Sequence, residues 1–411
     1  DYTGQRMLNM ALPGQRKRGR LQRCFSDLVR GVPTHTWELL IVVPFLLAGL
    51  GTVSAGILLD IVQSWEVFQE ITEILILVPA VLGMKGNLEM TLASRLSTAV
   101  TEMRMYRGVE SVLCLLKSTM TSLVFLVFSS RLFLGVERIL EGAQHTALWG
   151  PSIVMVGVII GSKRIGINPD NVATPIAASF GDLITLALLA CKIISFFFLT
   201  ELYPYVLYLV NLSFLCLIPA WVAASSKHPA SEILLHTGWE PIIIAMLISS
   251  IGGVILDKTV LDPNLAGIIV YAPVINGQFC AGSPMHVLRM FAYASVLPGT
   301  LICIPNHRSA KILLLLVIPG QLIFLHVIHL IKGGHTLPSP LFTIAFLFAS
   351  LIQVLILLCM ADCLVHCLWR RGKDPDSYSI PYLTALGDLL GTALLSIAFL
   401  MLWCIGDPGS V

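Results

Sequence analysis

Long apolar runs fill most of the chain, separated by short polar or basic stretches. A helix that crosses a bilayer needs about 20 consecutive apolar residues. Runs of that kind predict eleven spans, at 39–59, 68–84, 111–136, 146–162, 172–199, 203–224, 240–257, 264–280, 310–332, 340–368 and 380–404. The runs are continuous rather than alternating, which excludes a membrane β-barrel. Composition agrees: 56% of residues are hydrophobic and 12% charged, against about 25% charged in soluble domains. Mean hydropathy is +0.85. The fold class is therefore an all-α polytopic membrane protein, with about 11 transmembrane helices.

Net charge, +2 over 411 residues, says less than where the charges lie. Cytoplasmic loops collect Lys and Arg. With the N-terminus placed inside, the N-terminal arm carries seven basic residues and the cytoplasmic loops thirteen, against four in external loops. The expected orientation is thus N-terminus cytoplasmic and C-terminus extracellular, most simply in the plasma membrane. The basic opening "GQRKRGRLQRC" lacks the apolar core and cleavage site of a signal peptide. It reads as an orientation signal, with binding to acidic lipid as an alternative. The chain opens at Asp1, as a fragment of a longer protein does.

One motif occurs twice. "GINPDNVATPIAASFGDLITLALL" (Gly166–Leu189) aligns without a gap to "GKDPDSYSIPYLTALGDLLGTALL" (Gly372–Leu395) at an offset of 206. Leucines recur by chance in such a chain, but a Pro-Asp, a Pro and a Gly-Asp in one register do not. "PFLLAGLGTVSAGILLD" (Pro44–Asp60) resembles "PIIIAMLISSIGGVILD" (Pro241–Asp257) at an offset of 197, and "VPAVLGMKG" (Val78–Gly86) resembles "APVINGQFC" (Ala272–Cys280) at 194. The organisation read from this is a basic N-terminal arm at 1–38, a first five-helix repeat at 39–199, and a linking helix with its loop at 200–238. A second five-helix repeat follows at 239–404, and a tail at 405–411. The linking helix restores the orientation that an odd number of spans inverts. The halves then lie parallel, related by a pseudo-twofold axis along the membrane normal, and need no second copy because they mimic a dimer.

The repeat also places two carboxylates, Asp182 and Asp388, inside apolar helices. A charge at mid-bilayer costs about 2.5–3.5 kcal/mol on insertion scales and so faces a cavity or partner. Two symmetry-related aspartates match the charge of a divalent cation. Mg²⁺ prefers oxygen ligands and gives up water reluctantly, which suits a path wide enough for a hydrated ion. Asp182 and Asp388 are the candidate metal-binding pair, with Mg²⁺ as the transported ion and no resident cofactor.

Further polar residues fall along the expected path. The segments "NPDNVATP" and "DPDSYSIP" are expected to break the helices at their cytoplasmic ends. There Asn168, Asp170, Asp374 and Asp376 form either an acidic vestibule or a set of N-caps. Asp60 and Asp257 close the first helix of each half, as an outer mouth or as solvated span-end acids. Gly86, Asn87 and Glu89 follow the second span, either as flexible backbone offering carbonyls or as a helix end leading into an amphipathic segment.

Other chemistry is thin. Cys359, Cys363 and Cys367 share a helix face with Asp362 and His366 nearby; a soft-metal stripe is one reading and a packed face the simpler one. Paired intramembrane aspartates also suit a protease, but a catalytic dyad shares a proton at close range and the two acids here sit in repeated contexts. A non-conducting membrane scaffold is the third possibility. No motif for nucleotide or nucleic acid is present.

"LVPAVLGMKGNLEMTLASRLSTA", "GVIIGSKRIGINPDNVATPIAASFGDLITLALL", "GWEPIIIAMLISSIGGVILDKTV" and "DPDSYSIPYLTALGDLLGTALL" closely resemble solute carrier family 41, the eukaryotic magnesium transporters related to MgtE-type channels. The resemblance implies two parallel five-helix MgtE-like repeats joined by one linking helix, and Mg²⁺ transport with Na⁺ moving in exchange. It places the channel's ion-binding Asp at Asp182 and Asp388, and its Gly-Asn motif at Gly86 and Asn87. The chain departs from the family after "PVING", where "QFCAGSPMHVLRM" puts Ala281 in register with Asn87. It departs again through 101–150, where Lys117 interrupts an apolar span.

Overall fold

Lipid offers no hydrogen bonds, so a backbone in the hydrocarbon must pair with itself, which an α-helix does within one segment. A computed structural model describes residues 34–65, 78, 81–83, 86, 179–191, 193–194, 209, 212, 216, 219, 239–262, 265, 267–281, 304–332, 339–373 and 375–406. Of these, only the backbone is described at 34–44, 239, 278–281, 304–313, 369 and 375–377. The described residues contain helices and turns but no strand.

Among the described residues, seven helices carry the architecture. They are α1 (Thr34–Gln63), α2 (Ser179–Cys191), α3 (Trp239–Val260), α4 (Ile268–Ala281), α5 (Ile304–Ile331), α6 (Pro340–Arg370) and α7 (Pro375–Ile405). Five of them, α1, α3, α5, α6 and α7, contain stretches long and apolar enough to cross a membrane. These agree in place with the expected spans at 39–59, 240–257, 310–332, 340–368 and 380–404. The expected spans at 111–136 and 146–162 lie outside the described residues, and those at 68–84, 172–199 and 203–224 lie largely outside them.

The eighth span was expected at 264–280, and α4 is described there from Ile268 to Ala281. Before it the chain turns, with Leu265 N–H bonded to Asp262 O at 2.9 Å and Ile268 N–H to Leu265 O at 3.1 Å. One expectation is corrected: "DPDSYSIP" does not break its helix. Pro375 heads α7, where a missing N–H costs nothing. The helix then continues through Pro381, where the Thr384 hydroxyl donates to the carbonyls of Ile380 and Pro381, at 3.0 Å each.

Between helices in lipid, association rests on close packing rather than on exclusion of water. The rings and glycines show how it is achieved. Phe324 of α5 sits against Gly49 of α1, and Phe45 of α1 sits against Gly320 of α5, in the space a Cβ would take. The two rings meet at 5.8 Å between centroids. Gly56 of α1 admits the Val270 carbonyl of α4 in the same way. A second cluster gathers Tyr271, Phe342, Phe346 and Phe399, with Tyr271 and Phe342 at 5.0 Å and Phe342 and Phe399 edge-on at 5.5 Å.

The α6–α7 corner is set locally. Gly372, with φ of 66°, ends α6 while Lys373 N–H bonds back to Leu368 O at 3.1 Å, the wrapped C-terminal turn that glycine permits. α7 then runs back along α6 and packs on α3 and α4 as well. It is the helix through which the second part of the chain is held together. Cys359, Cys363 and Cys367 are exposed, so the packed-face reading of that stripe is corrected: α6 packs through Val354, Leu357, Ala361 and Val365 instead.

Candidate functional site

α7 brings Asp388 against α3. The Ser249 hydroxyl of α3 donates to Asp388 Oδ2 at 3.1 Å. The approach is close because Gly252 faces the α7 backbone: a Cβ there would stand 3.3 Å from Leu389 Cα and 3.5 Å from Asp388 O. On another side stands Gly83, whose Cβ would lie 3.1 Å from Asp388 Oδ2. Gly83 thus admits the carboxylate and Gly252 the backbone that carries it; Asp388 is half-buried. Asp182, also half-buried, is carried by α2 and lies within electrostatic reach of Asp388. Among the described residues, no three His, Cys, Asp or Glu side chains converge as a metal cage.

The contacts around the site come in a reciprocal pair. Gly83 faces Ser249, and Gly277 of α4 faces Thr52 of α1. The sequence offsets of 194 and 197 map Gly83 onto Gly277 and Thr52 onto Ser249. Each contact is therefore the image of the other under exchange of the repeated segments.

A polar ladder continues from Asp388 towards the C-terminal end of α7. Thr392 Oγ1 accepts from Asn276 Nδ2 of α4 at 3.1 Å. Gln353 of α6, fully buried, donates through Nε2 to Gly387 O at 3.0 Å. Ser396 Oγ accepts from the Thr259 hydroxyl of α3 at 3.1 Å. Sequence reasoning missed Ser249, Asn276, Gln353 and Thr392. Their signal was a polar side chain inside an apolar run, as in "SLIQVLILL", but only the fold shows that α3, α4 and α6 aim such residues at α7.

The other sequence candidates scatter. Asp60, at the end of α1, accepts a hydrogen bond from Gln63 at 2.8 Å and an ion pair from Lys332 at 3.0 Å. Asp257 lies near the end of α3, half-buried. Gly86 is helical, with open space where a Cβ would be. Asp376 is in the first turn of α7, its side chain outside the description. Asn87, Glu89, Asn168, Asp170 and Asp374 lie outside the described residues. At the same end of the molecule as the start of α7, Lys373 pairs with Glu240 at 3.2 Å and lies 4.5 Å over the Tyr378 ring.

Comparison with known proteins gives these residues a setting. The MgtE family, described as divalent cation transporters, matches residues 78–191 and 300–398, and one of the two aspartates falls in each stretch. Solute carrier family 41 member 2 of Homo sapiens is 52% identical over 406 aligned residues, covering 89% of this chain and 70% of the relative. The Macaca fascicularis protein of the same name is 53% identical with the same coverage. Solute carrier family 41 member 3 of Rattus norvegicus is 39% identical, covering 89% of this chain and 87% of the relative. No solved structure matches the chain. With apolar helices of membrane-spanning length and a transporter domain rather than an enzyme's, the chain belongs to solute carrier family 41, the MgtE-type divalent cation transporters.

Proposed function

We propose that this protein carries Mg²⁺ across a membrane along a path between two related halves, with Asp182 and Asp388 holding the ion at the centre. The observation that carries the reading is that two carboxylates carried by apolar helices, Asp182 on α2 and Asp388 on α7, lie within electrostatic reach of each other. Unscreened by lipid, two such charges repel unless a cation lies between them or water reaches them. The reciprocal Gly83–Ser249 and Gly277–Thr52 contacts support a pseudo-twofold relation between the halves. Asp388 accepts from the Ser249 hydroxyl, and Gly83 beside its carboxylate brings no side-chain ligand. That favours an ion that keeps most of its water, as Mg²⁺ does. We assign the N-terminus to the cytoplasm on its basic arm, the protein to the plasma membrane, and Na⁺ as the exchanged ion.

The test is flux. Purified protein in liposomes loaded with a Mg²⁺ dye should take up Mg²⁺, and Asp182→Asn and Asp388→Asn should each reduce the initial rate at least tenfold. Uptake that persists unchanged in the double variant overturns the assignment of the site. Rates measured with and without an opposing Na⁺ gradient decide whether Na⁺ is exchanged.

A further inference from the structure

The cysteine stripe of α6 takes no part in the site at Asp388. Cys359, Cys363 and Cys367 are free thiols and exposed, although free cysteine is among the residue types most often buried. At about 3.6 residues per turn they fall on the side of α6 opposite Leu357, Ala361 and Val365, which are fully buried. Among the described residues no three ligating side chains converge on a metal, so the stripe is not a soft-metal site. Depth separates the three thiols. The apolar stretch of α6 ends at Leu368, and Cys367 is the residue before it. Cys363 lies about 6 Å deeper and Cys359 about 12 Å deeper, at 1.5 Å per residue.

The end of the bundle that holds Cys367 is basic. Residues 332–339 link α5 to α6, and the two helices pack on each other, so α5 starts where α6 ends. The Lys373–Glu240 pair brings the start of α3 to the same end. Among the described residues this end carries Arg308, Lys311, Arg370, Arg371 and Lys373, and the other carries Lys258 and Lys332. Such a bias marks the cytoplasmic side. Arg370 and Arg371 are exposed and follow Cys367 within one turn, where they hold the helix end at an anionic leaflet surface.

We infer that Cys367 is a site of S-acylation, with Cys363 as the second acceptor and a long-chain acyl-CoA as the donor. Juxtamembrane cysteines accept such chains. The Cys367 sulfur attacks the thioester carbonyl carbon, the bond from that carbon to the coenzyme A sulfur breaks, and the thiol proton ends on the released coenzyme A. One thioester replaces another, so nothing is oxidised or reduced, and a membrane acyltransferase catalyses the exchange. The reaction belongs at the bilayer surface, where the polyanionic coenzyme A meets Arg370 and Arg371. The product chain then lies in lipid beside Ile356 and Met360, which are exposed on that side of α6. Cys359, about two turns deeper than Cys367, is out of reach of a surface reaction. The inference rests on the cytoplasmic placement of this end under the proposed function, but not on which ion the aspartates hold.

The test reads the thioester directly. The full chain is expressed in cultured cells fed an alkyne-bearing palmitate, purified, and scored for label that neutral hydroxylamine removes. Wild-type protein should carry such label. Cys367→Ala should carry at least threefold less, Cys363→Ala plus Cys367→Ala less again, and Cys359→Ala the wild-type amount. All three thiols are exposed, so each variant should keep the wild-type melting midpoint. Wild-type protein without hydroxylamine-labile label overturns the inference. So does label that persists undiminished in the double variant, or that falls as far in Cys359→Ala as in Cys367→Ala. Cys404, exposed near the far end of α7, reports the sidedness. An impermeant maleimide should label it on intact cells, with the signal lost in Cys404→Ala. Labelling from outside without any acyl group removes the inference and leaves the orientation standing. Labelling only after permeabilisation places the end of α6 outside and removes both.

Discussion

Gly83→Ala probes the geometry at Asp388 without changing any charge. The added methyl would stand 2.6 Å from Ser249 Oγ, 2.9 Å from Ser249 Cβ and 3.1 Å from Asp388 Oδ2. Ordinary contact begins near 3.4 Å, so the hydroxyl must retreat about 0.8 Å and the carboxylate oxygen about 0.3 Å. The bond between them is 3.1 Å long and does not survive unequal shifts of that size at its present geometry. Overpacking costs about 1–3 kcal/mol, and a weakened hydrogen bond to a carboxylate up to about 1.5–3 kcal/mol more. We expect Gly83→Ala to lower the melting midpoint in detergent by several degrees and to slow Mg²⁺ uptake. Ser249→Ala removes the hydroxyl that the methyl strikes. The double variant should therefore melt higher than the two single losses together imply, with a coupling of about 1 kcal/mol or more in a double-mutant cycle. Strictly additive midpoints, or a wild-type midpoint for Gly83→Ala, would refute the placement of Gly83 against Ser249 and Asp388.

Three further outcomes follow from the packing. Gly56→Ala sets a methyl against the Val270 carbonyl, where backbone and not a side chain must yield; a loss of about 3 kcal/mol or more is expected, read as a lower melting midpoint and less monodisperse protein. Phe324→Ala empties the notch at Gly49 and removes the stack on Phe45. The cost should be about 3–5 kcal/mol, and Gly49→Ala added to it should cost little, since the ring it would strike is gone. Asp60→Asn breaks the pair with Lys332, whose side chain is 42% exposed. An exposed pair contributes about 0–1 kcal/mol, so the midpoint should move by at most a degree or two while Mg²⁺ uptake stays at the wild-type rate. A large loss of uptake would instead place Asp60 on the ion path.

Much was legible in the sequence because lipid leaves a chain few choices. A run such as 340–368 has to be a helix, since nothing else satisfies its backbone in hydrocarbon, and the helix found there, Pro340–Arg370, overruns that range by only two residues. The duplicated Gly-Asp register marked Asp182 and Asp388 as a pair before any coordinates, because a carboxylate within an apolar helix is too costly to be incidental. Local punctuation misled where context overrode it. Proline was read as a helix breaker at Pro381, yet α7 passes through, because the penalty falls on one hydrogen bond while packing against α3, α4 and α6 favours the continuous helix.

What the sequence determined by itself was the solvent, the helices and the two acids, all consequences of which side chains and backbone groups lipid tolerates. What only the tertiary structure decided was company. Ser249 is one serine among many until α3 lies on α7, and Gln353 is one amide in an apolar run until its oxygen is found buried without a partner. Such pairings depend on Cβ-free approach at Gly83, Gly252 and Gly391, over distances of a few tenths of an ångström. Those distances are set by how helices cross and not by the order of residues along any one of them, since a ridge finds its groove only on a neighbour.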